Sequence, residues 1–144
     1  MNKFFTIIAL CAALLLAGAC KKQAKHSDSQ TAMLQQLAEK INSEKDTTYQ
    51  NGTKLVQCEY KAGDSLFVYH IQVDDNRFDN VAPDSLKMSI GANVHLNVVA
   101  NVLAKNHVGL KYEFTTPDNK IEVVFTPEEL AEKTKEPSQQ QQNK

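Results

Sequence analysis

The chain has 144 residues, 42% hydrophobic and 23% charged, with sixteen Lys and Arg against seventeen Asp and Glu. With residues 1–19 set aside as an export leader, the remaining 125 suffice for one small domain with a single core and not for two ordinary ones. Their net charge of about −2, from fifteen basic and seventeen acidic side chains, leaves no basic surplus to neutralise phosphates and excludes nucleic acid as a partner.

The leader comes first along the chain. Lys3 supplies one positive charge, and Phe4 to Leu16 is an apolar run, the charge-then-apolar pattern of a secretory signal. Leu16, Ala17, Gly18 and Ala19 then lead directly into Cys20, followed by Lys21 and Lys22. Small residues ending in a cysteine resemble the lipobox of bacterial lipoproteins, whose usual Leu three positions before the Cys is here Ala17. The resemblance implies that Cys20 opens the mature chain and carries a diacylglycerol on its thiol, with a further acyl group such as palmitate on its amine. A retained transmembrane helix is the competing reading, but the apolar run falls short of the ~20 residues a span needs. Two or more acyl chains, at ~0.8 kcal/mol per buried methylene, hold a protein firmly to a bilayer.

Residues 20–30 offer almost nothing apolar to bury and read as a flexible tether. From residue 31 to 44, Met33, Leu34, Leu37, Ala38 and Ile41 recur at helical spacing, and Ser29 or Thr31 is placed to cap that helix. Asn51-Gly52 marks a turn. Residues 54–61 and 65–74 then read as two strands of a hairpin joined by Ala62, Gly63 and Asp64. In the first, Val56, Cys58 and Tyr60 alternate with polar residues, which puts Cys58 on the apolar side as a small hydrophobe. With Cys11 lost in the leader and Cys20 lipidated, Cys58 has no intrachain partner. In the second strand Phe67, Tyr69, Ile71 and Val73 share one face while Leu66 and Val68 sit on the other, the pattern of a central strand.

Asp74, Asp75 and Asp79 form an acidic loop that lacks the oxygen spacing, glycine and closing glutamate of a calcium loop. A long helix is expected from Pro83 to about Asn106, with Leu86, Ile90, Val94, Val98 and Val102 at four-residue steps, Val99 and Leu103 widening the stripe, and Asn93, Asn97 and Asn101 along its flank. Gly91 within it suits a close approach to a strand. Val108 to Thr115 alternates cleanly, Thr116 to Asn119 turns, and Ile121, Val123 and Phe125 return. Thr126, Pro127 and Glu129 signal a short last helix. Residues 134–144, with four consecutive glutamines, read as a disordered tail.

These elements predict one α+β domain over residues 31–133, in the order α-β-β-α-β-β plus a short C-terminal helix. The expected sheet is antiparallel, about four strands in two hairpins, with two helices on one face. Strand order across its middle is open.

No phosphate loop, Cys-x-x-Cys, His-Glu-x-x-His or nucleophile elbow occurs. His26, His70, His95 and His107 show no ligand spacing, so neither a metal nor another cofactor is expected. His70 with Asp74 or Asp75 is the one conceivable acid/base pair. Thr47, Ser65 and Ser85 each follow an Asp, similar to an O-glycosylation consensus of some bacteria; turn and cap chemistry explains the same pattern.

Ile41-Asn42-Ser43, Leu66 to Tyr69, the helix near Asp84, Gly109 to Tyr112 and Val123 to Pro127 together resemble a group of small, uncharacterised bacterial exported proteins. The likeness runs over most of residues 31–130 and brings no activity with it; the cysteine that such proteins carry late in the second helix has no counterpart in Val99 to Val102. The functional expectation is a lipid-anchored, non-enzymatic adaptor for another envelope protein, of which an inhibitor or immunity protein is one version. Lys21, Lys22 and Lys25 after the anchor favour the periplasmic face of the outer membrane over the cell surface. The alternative is a small periplasmic ligand carrier or hydrolase with a pocket between sheet and helix.

Overall fold

The computed structural model describes residues 26–43 and 52–135. Helix α1, Asp28–Asn42, starts earlier than Thr31 because Ser27, not Ser29 or Thr31, caps it. Ser27 Oγ accepts from the Gln30 amide at 3.3 Å while the Gln30 side chain accepts from the Ser27 amide at 3.1 Å, so two otherwise orphaned donors are satisfied at once. Leu34 and Ala38 are buried as the spacing predicts, whereas Met33, expected in the core, is 41% exposed.

Strands β1, Thr53–Lys61, and β2, Leu66–Val73, pair antiparallel around a 3-10 turn at Ala62–Asp64. The register of β1 shifts between Leu55 and Gln57. This bulge puts one extra residue into the strand. Cys58 is therefore buried as predicted, while Val56, read as its neighbour on the same face, is 45% exposed.

The expected long helix is two helices, α2, Pro83–Gly91, and α3, Val98–Lys105, separated by a 3-10 turn at Val94–Leu96. The asparagines read as a polar flank explain the break. Asn97 Oδ1 accepts from the amides of Val99 at 2.9 Å and Ala100 at 3.2 Å, starting a fresh helix, and Asn101 Nδ2 donates back to the Asn97 carbonyl at 2.9 Å. Val98, on the predicted apolar stripe, is 76% exposed in consequence, while Val94 and Leu103 stay buried. Gly91 makes the close approach expected of it: a Cβ there would lie 3.4 Å from the Phe125 ring.

Strands β3, Gly109–Thr115, and β4, Lys120–Phe125, form the second antiparallel hairpin, and α4, Pro127–Lys133, follows with the predicted capping box between Thr126 and Glu129. The sheet order is β1-β2-β3-β4. Both hairpins are antiparallel as expected, but the middle pair, β2 and β3, is parallel, so the sheet is mixed. The connection through α2 and α3 carries the chain back to the starting end of β2 before β3 begins, which is what a parallel neighbour requires. The class is α+β, and residues from all four helices join one core around Phe67, Leu110 and Phe125, with the Tyr69 and Tyr112 rings stacked at 5.4 Å. Among the described residues no helix is long and apolar enough to cross a membrane.

Candidate functional site

Strand alternation sends Phe67, Leu110, Val123 and their neighbours into the helical core, and sends Glu59, His70, Lys111, Glu113, Lys120 and Glu122 to the opposite face of the sheet. Across that face His70 is the register partner of Glu113, and Glu113 of Glu122. Two carboxylates directly opposite one another repel. Here lysines compensate them: Lys120 Nζ bonds Glu113 Oε2 and stands 3.7 Å from Glu122, and Lys111 Nζ stands 3.0 Å from Glu122 and 3.8 Å from Glu113. The His70 imidazole donates from Nε2 to Glu59 Oε1 at 2.9 Å and turns Nδ1 toward Glu113 Oε1 at 3.4 Å.

Glu113 is only 4% exposed. Burial pushes its carboxyl up, but the Lys120 hydrogen bond and the charges of Lys111, Lys120 and His70 together outweigh it and hold it below the usual value. The His70 hydrogen bond does the same for Glu59, with help from Lys61 against a smaller opposing effect of burial. Beside His70 lies a shallow hollow of about 320 Å3, lined by Val56, Gln57, Gln72 and Thr115. Val56 and Val124, 45% and 40% exposed, sit on the two outer strands. The arrangement is a mixed-charge surface, three carboxylates against two lysines and an imidazole, that can present both signs to a ligand. Cys58 cannot serve it as a nucleophile, because its thiol is on the core side and burial pushes it up to about 12.

The pairing predicted for His70 is thus corrected: its partners are Glu59 and Glu113, not Asp74 or Asp75. Those two glutamates were visible only as polar positions of their strands, since their meeting depends on the parallel register of β2 and β3. The acidic loop is instead held by its own Arg77 and by the turn between β3 and β4. Asp75 pairs with Arg77 at 2.6 Å, Asn76 donates to Asp118 at 2.5 Å, and the buried Thr116 hydroxyl donates to Asp79 at 2.6 Å. Among the described residues no group of three or more His, Cys, Asp and Glu is placed to hold a metal.

A second concavity of about 450 Å3 lies at the end of the sheet where β2 and β3 begin, lined by Ser65, Leu66, His107, Gly109, Phe125 and Pro127. Ser65 at φ 49° and His107 at φ 55° are the non-glycine residues with positive φ among those described, and both line it. His26, expected in the tether, is docked at the same end, its Nε2 donating to the Asn106 carbonyl at 2.5 Å and its Nδ1 3.2 Å from the Tyr60 hydroxyl. Of the remaining candidate positions, Ser65 is half-buried with its hydroxyl 3.5 Å from His26, Ser85 is exposed in the first turn of α2, and Cys20 and Thr47 lie outside the described residues. Of the two described positions, Ser65 lies at the cleft and Ser85 does not line it.

No family model and no curated protein matches the chain. Two solved structures share its fold. A protein described as secreted from Pseudomonas aeruginosa is 17% identical with a TM-score of 0.54, the match covering 73% of this chain and 99% of that one. The type II secretion system pilotin AspS from Vibrio cholerae is 10% identical with a TM-score of 0.53, covering 70% of this chain and 92% of that one. At these identities the likeness is one of fold.

Proposed function

We propose that the chain is a lipid-anchored cell-envelope adaptor, non-enzymatic, acylated at Cys20 and held at the periplasmic face of the outer membrane, whose charged sheet face, opposite the core, receives another envelope protein. The observation that carries this reading is the network of Glu59, His70, Glu113, Lys111, Lys120 and Glu122: fixed charges of both signs on one sheet face select a partner by complementarity. The outer edge of β1 is a poorer candidate, because the Asn42 side chain already occupies the backbone of Cys58 there and the bulge twists the strand. The fold shared with a secretion pilotin and with a protein described as secreted agrees with an envelope role.

Photo-crosslinking residues placed at Gln72 and Val124, on the sheet face, and at Met88, on α2, test this in intact cells. A discrete adduct from the first two and none from the third is expected. Adducts from Met88 alone would move the docking surface to the helices, and none at any position would end the adaptor reading.

The ligand-carrier or hydrolase reading is favoured by one observation, the convergence of Ser65 and His107, both at positive φ, on a single cleft. A rise in melting temperature with envelope glycans, peptides or lipids would support it. Of the two O-glycosylation candidates among the described residues, Ser65 is half-buried and Ser85 is exposed and open to modification.

A further inference from the structure

The docking of His26 limits where the anchor can be. Its ring bonds the carbonyl that ends α3 and meets the Tyr60 ring edge-on at 6.2 Å, and Gln30 Nε2 donates to Asn106 Oδ1 at 3.4 Å, so the first described residues are held at one end of the sheet from two sides. That end comprises the close of β1, the Ala62–Asp64 turn, and the starts of β2 and β3. Only residues 21–25 separate His26 from Cys20, and three of the five are lysines. Six Cα steps of at most ~3.6 Å place His26 within about 22 Å of the Cys20 backbone.

We infer that the Ala62–Asp64 end of the domain is its bilayer-facing surface, set against lipid headgroups by a leash of five residues, with the Asp74 end of β2 pointing away. This rests on the acylation of Cys20 proposed above. The strand between those ends, Leu66–Val73, has eight residues and at ~3.3 Å each spans about 26 Å. The two ends therefore sit at clearly different heights above the membrane. Lysines 21, 22 and 25, lying between anchor and domain, add attraction to an anionic headgroup layer. The cleft lined by Ser65 and His107 then opens at the membrane end, and the proposed docking face runs upright from it.

The test uses the full chain, processed in cells, purified from membranes and reconstituted in phosphatidylglycerol-containing vesicles that carry a headgroup quencher. A fluorophore is attached through Gly63→Cys, where an added side chain meets nothing within 4 Å, or through Asp74→Cys at the far end. The buried Cys58 does not compete for the label. Loss of most of the emission at position 63 with little loss at 74 is expected. A Gly-Ser insertion after Lys25 long enough to double the leash should erase the difference. Equal quenching at both positions in protein whose Cys20 carries acyl mass would overturn the orientation and leave the anchor standing. Absence of acyl mass on Cys20 would overturn both.

Discussion

His70 and Glu113 are register partners across the parallel pair β2–β3, and the imidazole Nδ1 stands 3.4 Å from a carboxylate that is only 4% exposed. A buried carboxylate persists in charged form only when its surroundings offset the lost hydration. Lys111, Lys120 and His70 do so together, which makes this face of the sheet a single electrostatic unit.

That unit should show in the pH dependence of stability. Glu113 and Glu59 both titrate below the ordinary carboxylate value in the folded chain. The stability they contribute is complete above the unfolded value of ~4.3 and is lost as pH falls through their folded values. Glu113→Gln keeps the shape and removes the charge, and should cost about 1–2 kcal/mol at pH 7. Urea unfolding at pH 7 and at steps below pH 4 checks this: the gap to wild type should narrow as pH falls, and a gap that does not change with pH would mean that packing, not charge, is lost.

Asn42 joins α1 to the outer edge of β1. The Cys58 amide donates to Asn42 Oδ1 at 2.6 Å and Asn42 Nδ2 donates to the Cys58 carbonyl at 2.7 Å, so one side chain imitates a neighbouring strand. Asn42→Ala loses both bonds and should cost about 2 kcal/mol. Asn42→Asp keeps an acceptor for the amide but sets a carboxylate oxygen against the carbonyl, and should cost at least as much. Chemical denaturation of both variants measures it; a stable Asp variant would show that the donated bond contributes nothing.

What could be read in advance was whatever the chain encodes locally. The Thr126-Pro127-Glu129 cap, both hairpin turns and the burial of Cys58 follow from neighbours a few residues apart. The break after Gly91 was hidden because the four-residue apolar step runs straight through it, and only Asn97, used as a cap instead of a flank, reveals the restart. The Val56 bulge was hidden for a similar reason, since strict alternation in the sequence says nothing of an inserted residue. Glu59, His70 and Glu113 meet only through the register of three strands, two of them parallel and far apart along the chain. Capping by Ser27 was visible as Ser-x-x-Gln, and an earlier helix start would have placed His26 beside the core rather than in a tether.

The Cys58 thiol, pushed up to about 12 by burial first and by its neighbour Glu59 second, should be inert while the chain is folded. Peptide mass analysis after alkylation at pH 8 should find Cys58 unmodified in buffer and fully modified in urea. Cys58→Ser puts a hydroxyl into the core without a designed partner and should destabilise by about 1–3 kcal/mol. Cys58→Ala, which leaves only a small void, should cost less. Alkylation in buffer would show that the α1–β1 contact opens far below the global unfolding transition.

Gly109 begins β3 at the floor of the cleft, where a Cβ would lie 3.0 Å from Leu66 Cδ1 and 3.1 Å from the Phe125 carbonyl oxygen. The Leu66 methyl can rotate away, but the carbonyl belongs to the backbone of β4, so β3 and β4 must give by a few tenths of an ångström to admit one carbon. Gly109→Ala should therefore cost about 1–3 kcal/mol despite the entropy that alanine removes from the unfolded chain. Gly63 supplies the control. Nothing lies within 4 Å of a Cβ added there, and Gly63→Ala should be neutral or slightly stabilising. Thermal melts of the two variants read the difference directly, and equal melting temperatures would mean that the cleft floor is more pliable than the β3–β4 pairing implies.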